Sequence, residues 1–116
     1  MKEMFGTVKR EGVEYKLVFN LNVMEEIQEK YGTVEEWGKL TDGTNGEEPN
    51  AKAIIFGFRA MLNEGIDIDN EKNGTSVKPF TLKQVGRFIS EIGFENATSA
   101  LTQTVIESTK SDIKNE

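Results

Sequence analysis

Apolar positions along this chain change period twice. Over the first twenty residues they alternate, and from residue 21 onward they recur at helical spacing. The alternating stretch predicts a β-hairpin turning at Glu11-Gly12, where Gly supplies the positive φ that a two-residue turn needs. That turn pairs Arg10 with Val13, Val8 with Tyr15, Gly6 with Leu17 and Met4 with Phe19 on one largely apolar face. Lys9 with Glu14, Thr7 with Lys16 and Phe5 with Val18 form a mixed face. Phe5 then stands on the mixed face, partly exposed or covered by a partner. A lone hairpin is barely stable in water, so it must pack on the helices that follow.

Val23, Met24, Ile27 and Tyr31 predict a helix from Leu21 to Tyr31, capped by Asn20 or Asn22 and ended by Gly32. Thr33 and Glu36 read as a capping box for a short second helix with the stripe Val34, Trp37 and Leu40. Residues 42–49, DGTNGEEP, read as a loop. The fourth helix has agreeing signals. Thr81 and Gln84 form a capping box, Phe80 and Val85 a hydrophobic staple, and Leu82, Val85, Phe88, Ile89 and Ile92 a buried stripe. Gly93 is the stop, with Phe94 folding back on Ile89. A last helix over 96–108 carries Ala97, Ala100, Leu101, Val105 and Ile106, and residues 110–116 are expected to fray.

The third helix, Ala51–Glu64, breaks the pattern of one apolar face each. Ala51, Ile54, Ile55, Phe58, Met61 and Leu62 share a broad arc, interrupted by Lys52, Arg59 and Asn63. Phe56 falls on a second arc with Ala53, Gly57 and Ala60. Two apolar arcs mean that the helix is central to the fold or that one side meets another molecule. The expected stop is Gly65, followed by a long polar connection over 66–79 with a short hairpin at Asn73-Gly74. The fold class is therefore mainly α: one domain over 1–109, an N-terminal β-hairpin (1–20) and a compact bundle of four to five helices.

Composition narrows the chemistry. The 116 residues include no His and no Cys, which removes the commonest general base, the thiolate nucleophile and the soft metal ligands. The pairs Glu25-Glu26, Glu35-Glu36 and Glu47-Glu48 are adjacent, and adjacent residues on a helix diverge, so they do not converge on one substrate. Asp67, Asp69 and Glu71 fail as a calcium loop, because Lys72 and Lys78 stand at the sixth and twelfth positions. No catalytic residue, metal site or cofactor is expected. The net charge of −6 and scattered Lys and Arg, with Lys9-Arg10 the longest basic run, argue against nucleic acid. No apolar run approaches the ~20 residues that span a bilayer, and the first residues carry no signal-peptide stretch, so a cytoplasmic protein is expected. Gly57 and Gly86 each cost ~1 kcal/mol against Ala inside a helix, to be offset by close helix packing or by a docking groove.

Three stretches carry a family resemblance: Phe19–Gly32 within YKLVFNLNVMEEIQEKYG, residues 56–68 within AKAIIFGFRAMLNEGIDID, and residues 79–97 within KPFTLKQVGRFISEIGFENA. In their order the chain resembles the small tail assembly chaperones of prophages and long-tailed phages of Gram-positive bacteria, over roughly residues 13–108. The resemblance implies a helical, non-enzymatic protein of the bacterial host cytoplasm that binds the long helical tape measure protein, keeps it soluble while tail tube subunits polymerise, and is absent from the finished particle. Tail tube protein and a second copy of the chain are further partners to expect. A structural tail or head-completion protein and a small host-factor-binding regulator are the other readings. The partner-binding residues expected from the second arc are Ala53, Phe56, Gly57 and Ala60.

Overall fold

The computed structural model describes the backbone of residues 5–42 and 48–114, and side chains within 6–42 and 48–108. Strands β1 (Phe5–Arg10) and β2 (Val13–Val18) form an antiparallel hairpin in the register that the Glu11-Gly12 turn dictates, from Arg10 opposite Val13 to Phe5 opposite Val18. The expected Met4–Phe19 pair and the surroundings of the Phe5 side chain lie outside the described residues. Both turn residues have positive φ, Glu11 at 53° and Gly12 at 79°. Such a turn matches the strand twist, and holding a non-glycine residue there costs roughly 1 kcal/mol.

Among the described residues five helices follow: α1 (Leu21–Tyr31), α2 (Val34–Asp42), α3 (Ala51–Asn73), α4 (Leu82–Ile92) and α5 (Phe94–Lys114). Helix α3 is the central rod, with β2 laid along it and α1, α2 and α4 packed around it; β1 lies on α5. Asn20 caps α1, its side chain accepting from the Val23 N–H. The Thr33 hydroxyl accepts from the Glu36 N–H at the start of α2. Asn50 caps α3 through the Ala53 N–H, and its own N–H donates to the Leu40 carbonyl, tying the end of α2 to the start of α3. The Thr81–Gln84 capping box at α4 is complete in both directions.

The expected stop at Gly65 is wrong. Helix α3 runs on to Asn73 and ends on Gly74 in the left-handed conformation, φ 66° and ψ 32°. Gly65 is buried inside the helix, where β2 crosses it: a Cβ there would lie 2.9 Å from the Lys16 carbonyl oxygen and 3.3 Å from the Lys16 Cβ. The glycine therefore permits strand and helix to approach. One turn on, Lys16 Nζ pairs with Asp69 Oδ1 at 2.9 Å. The segment with Asp67, Asp69 and Glu71, expected as part of a polar connection, is thus helical, and the expected hairpin at Asn73-Gly74 is a helix end. Residues 74–81 form a pinned strap. The Asn70 side chain accepts from the Thr75 hydroxyl and the Val77 N–H and donates to the Val77 carbonyl, and Asn63 exchanges both hydrogen bonds with the Phe80 backbone.

Helix α5 starts two residues earlier than expected and continues helically to Lys114. Only Gly93 separates it from α4, so Phe94, expected to fold back on Ile89, begins the new helix and is 44% exposed. Ala97 and Leu101 are buried as expected, Ile106 is exposed, and Thr104 is buried, its hydroxyl donating to the Ala100 carbonyl. Gly6 of β1 lies directly beneath Thr104.

The core runs from Leu17 through Val23 and Ile27 to Ile54, Phe58, Met61, Leu62, Val85 and Phe88. At one end Tyr15, Phe80 and Phe88 meet edge-to-face with ring centroids 5.0–6.2 Å apart, and the Arg10 guanidinium lies 4.4 Å from the Phe88 centroid. Arg10 stands on the apolar face of the hairpin, so its aliphatic stem and cation cover this cluster while Nη1 reaches Glu91 at 3.4 Å.

Candidate groove between the third and fourth helices

The two arcs of α3 have different fates. On the first, Ile54, Phe58, Met61 and Leu62 are fully buried, Ile55 is half-buried and Ala51 is exposed. On the second, Ala53, Gly57 and Ala60 are buried within the chain. Trp37 of α2 covers Ala53 and Gly57. Its ring is 2% exposed, its indole N–H donates to the Ala53 carbonyl at 2.9 Å, and a Cβ on Gly57 would lie 2.9 Å from its Cε2. Of the four expected partner-binding residues, three are thus interior, and a partner reaches only Phe56 without displacing α2. The arc that reads as a second outward face is the bed of a tryptophan.

Phe56 is half-buried at the edge of this contact. Its ring meets Tyr31 edge-to-face at 5.7 Å, with Lys30 Nζ 5.5 Å and Arg59 Cζ 6.0 Å from its centroid. Burial raises the Tyr31 hydroxyl above its ordinary pKa, because the phenolate would lose hydration there.

Beyond Phe56 a groove of about 700 Å³ opens between α3 and α4. This is within the size range of binding clefts in general. Its floor is Ile55, Phe56, Leu82 and Gly86; Leu82 is 48% exposed. Its rim carries Lys30 from the end of α1, Lys52 from the first turn of α3, and Lys83 and Arg87 from α4. All four cations are exposed, and none is within ion-pairing distance of a carboxylate among the described residues. Among the described residues the lining contains no acidic side chain, in a chain of net charge −6. The geometry follows from helical spacing. Residues 82, 86 and 90 form one row on α4 and residues 83 and 87 the next, while Val85, Phe88 and Ile89 take the opposite, buried side.

Gly86 shapes the floor. A Cβ at this position would meet only Ile55 Cδ1, at 3.7 Å, an ordinary contact. Close packing within the chain thus accounts for Gly57 and does not account for Gly86. Sequence reasoning noticed Gly86 and missed the groove, because Ile55 and Leu82 sit on stripes that read as core. The four basic residues are scattered in sequence and gathered only by the fold. The one local signal is the same-sign pair Lys83 and Arg87, four apart on α4.

Among the described residues no three acidic side chains are placed to hold a metal ion, and no helix is long and apolar enough to cross a membrane. The arrangement is chemically suited to holding an apolar side-chain stripe with polar groups on either side of it. Comparison with family models, with curated proteins and with solved structures finds no match for this chain.

Proposed function

We propose that this chain is a non-enzymatic tail assembly chaperone that binds the tape measure protein in the bacterial cytoplasm and keeps it soluble during tail morphogenesis. The groove between α3 and α4 is the observation that carries this reading. A long amphipathic helical client, made before its tube exists, needs its apolar stripe covered without being chemically altered. An open apolar trough with a charged rim on a small helical body offers that cover. The resemblance over residues 13–108 supplies the identity of the client, and the groove supplies a place for a helix of that character.

Coexpression tests the reading. The tape measure protein should aggregate when made alone and stay in the supernatant when this chain is made with it. Purified particles analysed by mass spectrometry should lack the chain. A client that aggregates equally with and without it, or a stoichiometric band in finished particles, overturns the proposal.

A further inference from the structure

Resting on that reading, we infer that the groove selects its occupant by charge: it takes one amphipathic helix whose apolar stripe is flanked by Asp and Glu side chains. The floor provides for the stripe and the rim for the flanks. Lys30 and Lys52 come from α1 and α3 and Lys83 and Arg87 from α4, so that a helix laid between α3 and α4 meets cations supplied by both. In the free protein these four have no carboxylate partner among the described residues, although acidic residues outnumber basic ones by 20 to 14 in the chain. The glycine at position 86 points the same way. It costs α4 helical stability, a Cβ there would meet only Ile55 Cδ1 at an ordinary contact distance, and its effect is to deepen the trough against Ile55. Folding leaves that cost without an offset, and a helix lying close over Gly86 supplies one.

The local rim and the overall charge make opposite demands, so the test is sharp. A protein of charge −6 attracts basic peptides at long range, whereas this rim favours acidic ones at contact. Two synthetic amphipathic helices with the same Leu/Ile stripe, one with Glu flanks and one with Lys flanks, each carrying a fluorescent label, are titrated with the whole chain at low and moderate salt. The Glu-flanked helix should bind roughly tenfold tighter or more. Gly86→Leu should abolish its binding by filling the floor. The surface double variant Lys83→Glu/Arg87→Glu should reverse the preference between the two peptides, which a fold defect would not do. Equal affinities, preference for Lys flanks, or binding unmoved by either variant overturns the assignment. So does a dimer in sedimentation that the double variant dissociates, since a second copy would then be the occupant. The two readings fail separately. A client kept soluble by the wild type and equally by both variants leaves the chaperone standing and removes this groove. Peptides that bind as expected beside a client that still aggregates keep the groove and remove the chaperone.

Discussion

Two helical glycines, Gly57 in α3 and Gly86 in α4, are treated differently by the chain. At Gly57 the missing side chain is replaced by the Trp37 ring, which fits so closely that no Cβ would be accepted without movement. At Gly86 a Cβ would meet only Ile55 Cδ1, at an ordinary contact distance, and the position lines the groove. A glycine in a helix is a cost at both places. It is offset within the fold at Gly57 by burial of the largest side chain and a buried hydrogen bond, and it has no such offset at Gly86. A closed contact and an open one can therefore be told apart by what a methyl group would meet.

The largest effect should come from the closed side. Trp37→Ala should destabilise the chain by about 3–5 kcal/mol in urea unfolding, since it removes a fully buried aromatic ring and leaves Ala53 and Gly57 facing a cavity. Gly57→Ala alone should cost about 1–3 kcal/mol through the clash with the ring. In the Trp37→Ala background the same substitution should change sign and stabilise, because the space is then free and the higher helix propensity of Ala remains. Equal destabilisation in both backgrounds would break the comparison at its first term.

The open side should respond in the opposite direction and more weakly. Gly86→Ala should raise the unfolding free energy by about 0.5–1 kcal/mol, the propensity difference alone, because its Cβ meets Ile55 at an ordinary distance. A destabilised Gly86→Ala variant would mean that α4 sits closer to α3 than the open groove allows.

What the sequence disclosed and what it withheld divide along the same line. The hairpin register, α1 and the start of α4 were legible, because neighbouring residues determine them: two turn residues, an Asn cap and a Thr–Gln box act within one or two turns of the chain. Gly65 was misread because its reason lies in β2. A glycine followed by Ile-Asp-Ile-Asp looks like a helix stop, and only the crossing Lys16 backbone explains why the helix continues through it. Trp37 over Gly57, and Gly6 beneath Thr104, are likewise pairs that no local window contains. The second apolar arc of α3 was recognised as an arc, but helical projection cannot say whether the cover comes from the same chain. The groove was hidden for both reasons at once: its floor imitates core, and its four cations come from three helices.

Tyr31 stands where the closed and open sides meet, and it gives the smallest and finest test. Its ring lies against Phe56, and burial raises its hydroxyl pKa above the ordinary value of about 10. The folded chain thus holds this proton more tightly than the unfolded chain does. Below the unfolded value both forms are protonated and the contribution to stability is fully present. As pH rises through the folded value that contribution is lost, so the unfolding free energy should fall. The wild-type slope alone does not single out one hydroxyl. Tyr31→Phe keeps the ring and removes the proton, so the difference between the two proteins isolates Tyr31. Urea midpoints measured between about pH 9 and 11 should fall more steeply for the wild type than for Tyr31→Phe. Parallel slopes would mean that water already reaches the hydroxyl. The open side would then begin at Tyr31, and the groove would extend past Phe56 onto the end of α1.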